Sequence, residues 1–440
     1  MKFLSSAMTP QSSFMVLAPI APPREVELRR LLASMNDAPG RLNANNALLP
    51  FGEFDTLHMA RFVILDDKTV DDVHIYGLSK PTYPLYLAFV GDLDGDADKF
   101  LEELARRAPG GLRAIFSCCE GFTPDTHLAG WMKAHRRPAI TSYVNWPGRT
   151  VRQVREEAAL RDALEGYVQR NASALTGLSP REIHATLQRF ANTEKSTGRL
   201  KLSAESSTPL GWWARNLVHL IGVPLLLLLA SPLLIVIAAV FLIRLRRLEK
   251  TDPELCPRVA PSYSEELAIL EDHDVTNQFT AMGSFKPGIV RRWTAIFALW
   301  IVDYGARHVF THGRLARVRT IHFARWVMLD NKRRLVFLSN YDGSLESYMD
   351  DFINKVGFGL NLAFSNGVGY PRTNWLVLDG CKDERKFKEF LRRHQLPTQV
   401  WYKAYPGLTA VDLERNARIR RGLESSSMSD QELRDWVALL

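Results

Sequence analysis

Two pairs of histidine and arginine residues carry the side chains best suited to chemistry. His58 and Arg61 are three residues apart, and so are His322 and Arg325. An imidazole transfers protons near neutral pH or ligates a metal or haem iron, whereas a guanidinium is a permanent cation. Residues three apart on a β-strand point to opposite faces, so the two groups of one pair cannot hold one small ligand together.

Two interpretations of these pairs are open. In the first, His322 lies in a cavity between sheets and acts as a haem ligand or as an acid–base group. In the second, each histidine is buried against a backbone or carboxylate partner, and each arginine is paired with an acidic neighbour.

An acidic motif follows each pair along the chain. Residues 91–95 read GDLDG and residues 339–343 read SNYDG, which places Asp94 and Asp342 at equivalent positions. The first motif resembles the Gly-x-x-Asp-Gly motif of dye-decolourising peroxidases, and the resemblance implies an aspartate on the distal side of a haem. The alternative is that both aspartates cap the helices that follow them by accepting backbone N–H bonds. The candidate catalytic residues are therefore His322, Arg325, Asp342, His58, Arg61 and Asp94.

Both motifs belong to a longer internal repeat. Residues 57–66 read LHMARFVILD and residues 321–330 read IHFARWVMLD, with His, Ala, Arg, Val, Leu and Asp in identical places. A second block follows each of these, and then a third, in which residues 143–164 match residues 402–423. Three blocks in one order indicate a tandem duplication.

Hydrophobic periodicity predicts strands and helices in alternation within each copy. The predicted strands are 14–18, 57–65, 85–90 and 112–117 in the first copy, and 277–286, 320–329, 335–341 and 359–364 in the second. With the intervening helices, this order is the βαββαβ ferredoxin-like unit. The repeated strand is apolar on both faces, so its sheet must be covered twice, and the sheet of the other copy is the simplest second cover.

This arrangement resembles the dimeric α+β barrel superfamily, to which the dye-decolourising peroxidases belong. The predicted fold class is α+β, with two tandem ferredoxin-like repeats that form a pseudo-dimeric barrel. The predicted divisions of the chain are a first repeat at 1–175, a linker at 176–209, a membrane segment at 210–250, a linker at 251–275, a second repeat at 276–424 and a tail at 425–440.

An uncharged apolar segment lies between the copies. Residues 220–243 contain no charged side chain, and about 20 such residues cross a bilayer as a helix. Trp212 and Trp213 precede the segment, and a basic cluster at residues 244–250 follows it, which favours a cytoplasmic position for that end. Because Pro232 interrupts helical hydrogen bonding near the middle, and because paired sheets must lie on one side of the bilayer, a monotopic hairpin is favoured over a single transmembrane helix.

Composition limits the classes of function. The chain is 46% hydrophobic and 24% charged, which excludes collagen-like, coiled-coil and wholly disordered proteins. The net charge of +8 is spread along the chain and does not indicate nucleic-acid binding. Four cysteines in 440 residues favour a reducing compartment. The sequence contains no nucleotide-binding loop, dinucleotide fingerprint, zincin motif or hydrolase elbow.

The sequence leads to two hypotheses about function. In the first, the chain is a membrane-anchored oxidoreductase, with haem as the candidate cofactor in an apolar pocket between the sheets and a hydrophobic or lipid-derived small molecule as substrate. In the second, it is a non-catalytic membrane-associated module that binds a lipid or a protein. Both place the chain at the lipid bilayer, with the repeats in the cytoplasm.

Overall fold

The computed structural model describes residues 10–205, 208–311, 313, 315 and 317–440, so the first nine residues of the predicted first repeat lie outside the described residues. The strands are β1 Gln11–Pro19, β2 Asn36–Ala38, β3 Arg41–Leu42, β4 Leu57–Leu65, β5 Tyr86–Asp94, β6 Thr141–Val144, β7 Thr276–Ser284, β8 Ile321–Leu329, β9 Arg334–Asp342, β10 Thr373–Asn374, β11 Leu378–Asp379 and β12 Thr398–Lys403. The helices are α1 Glu25–Ala33, α2 Ala97–Arg107, α3 Pro109–Phe116, α4 Leu128–Ala134, α5 Val151–Arg170, α6 Ala172–Leu175, α7 Pro180–Ser196, α8 Leu210–Leu229, α9 Ser231–Thr251, α10 Pro261–Ala268, α11 Ile289–His308, α12 Leu345–Phe364, α13 Glu384–His394, α14 Ala410–Glu424 and α15 Asp430–Val437.

Two four-stranded antiparallel sheets form the centre of an α+β fold. The first sheet has the order β1-β5-β4-β12 and the second has the order β6-β8-β9-β7. Each sheet is completed by a strand from the other half of the chain, because β12 pairs with β4 and β6 pairs with β8. The pairing of β4 with β5 and that of β8 with β9 shift register at equivalent places, after Leu57 and after Ile321.

The two sheets face each other across an apolar layer. Successive residues of a strand point to opposite faces, and β4 and β8 are apolar on both faces. On the inner face, Val63 and Leu65 meet Val327 and Leu329 in one buried cluster. On the outer face of the first sheet, Phe62 packs with residues of α1–α4, so each sheet is covered twice as the sequence predicts.

Two predicted strands are wrong, and with them the βαββαβ order. Residues 112–117 lie mostly in α3 and residues 359–364 lie in α12. The apolar residues of α3, namely Leu112, Ile115 and Phe116, are spaced three and four apart and bury one face of a helix. The strands predicted at 14–18, 57–65, 85–90, 277–286, 320–329 and 335–341 are confirmed in type. Among the described residues the strands form open sheets, and the predicted barrel is not closed.

The segments predicted as linkers contain packed helices. Residues 176–209 include α7, whose Leu187 and Ala191 are buried against α5, α14 and α15. Residues 251–275 include α10, and the predicted tail includes α15. The two halves are therefore joined by helical packing as well as by strand exchange.

A buried arginine from the first sheet is bonded to the second. Arg61 on β4 is 3% exposed and donates to the carbonyl oxygens of Phe279, at 2.9 Å, and Ser339, at 3.0 Å. Its guanidinium also lies over the ring of Trp401, 5.0 Å from the ring centre. Burial lowers the pKa of Arg61 to about 9, and the nearby Asp92 carboxylate opposes that shift.

A buried arginine of the second sheet is bonded to the first sheet in an equivalent way. Arg325 on β8 is 3% exposed and donates to the carbonyl oxygens of Phe14, at 2.8 Å, and Gly91, at 3.3 Å. It also forms an ion pair with Asp92. Burial lowers the pKa of Arg325, although the Asp92 carboxylate holds it up. Arg61 and Arg325 are therefore reciprocal polar links across an otherwise apolar layer.

We expect the variant Arg325→Met to lose about 3–5 kcal/mol of unfolding free energy, because it leaves the buried Asp92 carboxylate without its ion-pair partner. The double variant Asp92→Asn/Arg325→Met should lose clearly less than the two single losses added together, since Asn340 already occupies the equivalent place in the second sheet. Urea unfolding of the full chain measures both values. Strict additivity of the two single effects would contradict the link.

Candidate functional site

Each candidate histidine forms a buried pair with a candidate aspartate. His58 Nε2 lies 3.0 Å from Asp94 Oδ1, and His322 Nε2 lies 2.7 Å from Asp342 Oδ1. Both histidine side chains are buried, and the Asp342 side chain is 5% exposed against 14% for Asp94. The structure therefore unites the repeated histidine with the repeated acidic motif in both halves.

The second oxygen of each carboxylate binds the start of a distant helix. Asp94 Oδ2 accepts from the N–H of Val151, at 2.9 Å, and Asp342 Oδ2 accepts from the N–H of Ala410, at 2.7 Å. Those residues begin α5 and α14, which follow the exchanged strands β6 and β12. A carboxylate at the first turn of a helix satisfies an unpaired donor and interacts favourably with the helix dipole.

Asp94 and Asp342 do accept N–H bonds at helix starts, but the helices are not the ones that the sequence predicts. The helices directly after the aspartates are α2 and α12, and these are capped by Asp96 and Ser344. Asp94 and Asp342 instead connect the ends of β5 and β9 to α5 and α14. Each His–Asp pair therefore fixes the place where an exchanged strand turns into its helix.

Tyr405 joins the two pairs and breaks the symmetry between them. Its hydroxyl lies 3.2 Å from His58 Nδ1, and its ring centre lies 6.2 Å from that of His322. The equivalent residue in the first half is Trp146, which has no hydroxyl. Burial raises the pKa of Tyr405 well above its usual value, so its hydroxyl remains protonated. Sequence reasoning missed this residue, although it stands in the third matching block.

The space beside the two histidines is too small for a haem. His58, His322, Phe323 and Tyr405 line a cavity of about 20 Å³, which is the room needed by about one water molecule. The Nε2 atom of each histidine is already bonded to a carboxylate. Within the described residues there is also no group of three or more metal-ligating side chains. These residues do not fit the expected haem ligand and distal aspartate, and Arg61 and Arg325 lie away from them in the layer between the sheets.

A second feature of the molecule is an exposed pair of apolar helices. We call α8 and α9 together the apolar arch, residues 210–251. By length and composition Leu210–Leu229 is sufficient to cross a membrane, and none of it is buried in the protein. The large side chains around the junction of α8 and α9 are exposed as well, Leu229 by 70% and Leu233 by 65%. Exposed apolar area of this extent marks an interaction surface.

The first limb of the arch is attached to α11. The imidazoles of His219 on α8 and His308 on α11 share a hydrogen bond of 2.7 Å. Close by, the Tyr304 hydroxyl donates to the Leu220 carbonyl oxygen at 2.8 Å. The limb is thus held at the C-terminal end of α11.

The second limb is attached near the other end of α11. Glu249 on α9 is 1% exposed and accepts from the Thr373 hydroxyl and from the N–H groups of Trp375 and Leu376, at 2.7–2.9 Å. Trp375 and Leu376 both have positive φ, which turns successive N–H groups toward one carboxylate. Three residues on, Asp252 is paired with Lys286, at 2.9 Å, and with Arg291 on α11.

These attachments require the arch to bend. Tyr304 and Arg291 are 13 residues apart on α11, or about 20 Å. A straight helix from Leu220 to Asp252 would span 32 residues, or about 48 Å, and the contacting side chains are too short to cover the difference. The bend lies at Ala230, between α8 and the Pro232-containing first turn of α9. The segment therefore leaves and rejoins the same helix.

The face of α11 toward the arch is apolar and exposed. Its bare side chains follow a four-residue spacing, and each is 41–70% exposed: Ile289, Trp293, Phe297 and Ile301. At 100° per residue, Tyr304 and His308 fall within the same arc of the helix surface. The residues that α11 buries in the protein, such as Ala295 and Leu299, lie on the opposite side. The stripe therefore lies on the side of α11 to which the first limb of the arch is attached.

Comparison of the chain with models of known protein families, with curated proteins and with solved structures finds no match. The site is therefore interpreted from its own geometry.

We expect Asp342→Ala to lower the free energy of unfolding by about 2–4 kcal/mol, since it removes one charge-assisted bond to His322 and one helix-terminal bond to Ala410. Asp94→Ala should cost less, because water reaches the more exposed pair in the first half. Urea unfolding compares both with Asp125→Ala, an exposed loop control. An unchanged midpoint for Asp342→Ala would show that the pair does not stabilise the fold.

Proposed function

We propose that this chain is a monotopic membrane protein: the apolar arch enters one leaflet of a bilayer and holds the two-sheet body against that leaflet. Attachment of both limbs to α11 is the observation that carries the proposal. A segment that begins and ends on one helix of one rigid body returns to the side from which it entered.

The dimensions of the arch support entry into a single leaflet. From Leu220, at the level of α11, to Ala230, at the bend, the chain rises ten helical residues, or about 15 Å. The hydrocarbon core of a bilayer is about 30 Å thick. The bend therefore lies at most about 15 Å from the level of the Leu220 contact and no deeper than the midplane, and both limbs satisfy their backbone groups within helices.

The stripe on α11 supports the same placement. With the arch inserted, Ile289, Trp293, Phe297 and Ile301 face the boundary between headgroups and acyl chains, as in an amphipathic helix that lies in a membrane surface. Lys332 lies 6.0 Å from the ring centre of Trp293, so that a cation stands at the rim of the apolar area. The stripe thus extends the inserted surface along the body.

The charges near the arch favour the cytoplasmic leaflet. The second limb ends in a basic cluster made up of Arg244, Arg246, Arg247 and Lys250. Basic residues beside a membrane segment are retained on the cytoplasmic side and are attracted to anionic headgroups. Free thiols at all four cysteines agree with a reducing compartment.

In this proposal the body is a binding module, and the two histidine–aspartate pairs stabilise its fold. The oxidoreductase hypothesis needs a redox group beside His322, and the small cavity there speaks against it. The matching strand orders, the equivalent register shifts and the reciprocal arginines support an origin of the body by duplication. We accordingly propose that the two sheets are pseudo-symmetric copies that exchanged their last strands.

Flotation with vesicles of phosphatidylcholine and phosphatidylserine tests the anchor. We expect the variant Leu229→Glu/Leu233→Glu to lower the vesicle-bound fraction by about tenfold or more, because a charge near the middle of an inserted helix costs about 2.5–3.5 kcal/mol. The matched control is Val26→Glu/Leu78→Glu, at two exposed apolar positions away from the arch.

The control variant should float as the unmodified protein does. Unchanged flotation of the arch variant, or an equal loss in the control, would overturn the proposed anchor.

A further inference from the structure

Each sheet ends beside a cleft, and the two clefts occupy equivalent places. The first lies where the edge strand β1 faces the exchanged strand β6, and it has a volume of about 340 Å³. The second lies where the edge strand β7 faces the exchanged strand β12, and it measures about 180 Å³. Because the sheets match, the second cleft is an internal comparison for the first.

One side chain accounts for much of the difference between the clefts. On β12, Trp401 stands opposite Arg61 in the ladder and is buried over its guanidinium. On β6, Ser142 stands opposite Arg325 in the same way. The indole fills space that the serine leaves open. The second cleft is narrowed further by the β2–β3 hairpin, which contributes Gly40 and Leu42 to its wall.

The walls of the first cleft combine apolar surface with cations. Phe14 and Met15 of β1 and Phe323 and Val327 of β8 provide the apolar part. A volume of about 340 Å³ is within the range of small-molecule sites, which are largely apolar with a few placed polar groups.

Most of the charges in this cleft are already compensated. Arg325 is paired with Asp92, and Arg136 is paired with Asp98. Asp96 uses its carboxylate to cap α2. These groups have no need of a ligand.

The guanidinium of Arg307 is paired with a carboxylate but keeps one donor without an acceptor. Its Nε is paired with Asp303 at 2.7 Å, whereas its Nη1 is buried and has no partner in the described part of the chain. A buried donor left unpaired costs about 1–3 kcal/mol. Arg137, which is exposed, adds a second guanidinium to the same cleft. Two cations beside an apolar wall, one of them with an unpaired buried donor, are a site for an anion that carries an apolar group.

We propose that the first cleft binds a small organic carboxylate with an apolar body. The carboxylate accepts from Arg307 Nη1 and from Arg137, and the apolar part lies against Phe14, Phe323 and Val327. The second cleft, with Trp401 in place, does not bind it.

Isothermal titration of the detergent-solubilised full chain with 3-phenylpropionate tests this site, and 3-phenylpropanol serves as the uncharged ligand of the same shape. We expect the carboxylate to bind at least about tenfold more tightly than the alcohol, because hydrogen bonds to charged groups contribute about 1.5–3 kcal/mol. Ser142→Trp should abolish binding by filling the cleft as Trp401 fills the other.

A second variant does not depend on filling the cleft. Arg307→Lys keeps a cation for Asp303 but removes the Nη1 donor, and it should weaken 3-phenylpropionate binding about tenfold or more. Arg292→Lys, on the same helix but outside the cleft, should bind as the unmodified protein does. Absence of binding to the unmodified protein, equal affinity for acid and alcohol, or unchanged affinity in both cleft variants would overturn the proposal.

Discussion

Arg61 and Arg325 carry buried charges, and the hydrogen-bond acceptors of each guanidinium lie on the facing sheet. A guanidinium taken out of water is stable only when its donors find acceptors, and here the acceptors are backbone oxygens of the facing sheet and Asp92. The exchanged strands add main-chain hydrogen bonds that also join the two halves of the chain. Neither half can then be separated from its partner without exposing strand edges and leaving buried polar groups unpaired. This mutual dependence makes the two halves a single body, so the apolar segment between them begins and ends on that body.

A single body changes the meaning of the repeated histidines and aspartates. Their recurrence in matching motifs of the two halves looks like a duplicated catalytic set, yet both oxygens of Asp342 are engaged, one with His322 and one with the start of α14. The pairs stand where an exchanged strand leaves one half and enters the sheet of the other. Chemistry at those positions would compete with their structural role. The surfaces that remain open to a membrane or a ligand lie elsewhere. They are the apolar arch, the stripe on α11 and the first cleft, beside Ser142.

The sequence predicted what depends on local pattern and missed what depends on distant partners. Strands β4 and β8 follow from their residues, because each is a nine-residue run that is mostly apolar on both faces and is rich in β-branched or aromatic side chains. Strand exchange does not follow, since β6 and β12 are short and nothing in their residues says which sheet they join. Residues 112–117 and 359–364 were ambiguous because a short apolar run suits either a strand or a buried helix. The partners of Asp94 and Asp342 were missed because α5 and α14 begin far along the chain, and Arg307 was missed because its lack of a partner exists only in the fold.

The side of the membrane on which each half lies is the most direct test of this account. In a variant without its native cysteines, Ser34→Cys reports on the first half and Ser262→Cys on the second, and both positions are exposed. A membrane-impermeant maleimide is applied to sealed membranes before and after permeabilisation. We expect the two positions to be labelled under the same condition, because the arch returns to its own side. Labelling of one position before permeabilisation and of the other only afterwards would contradict it, since the segment would then cross the bilayer and the two sheets could not share one body.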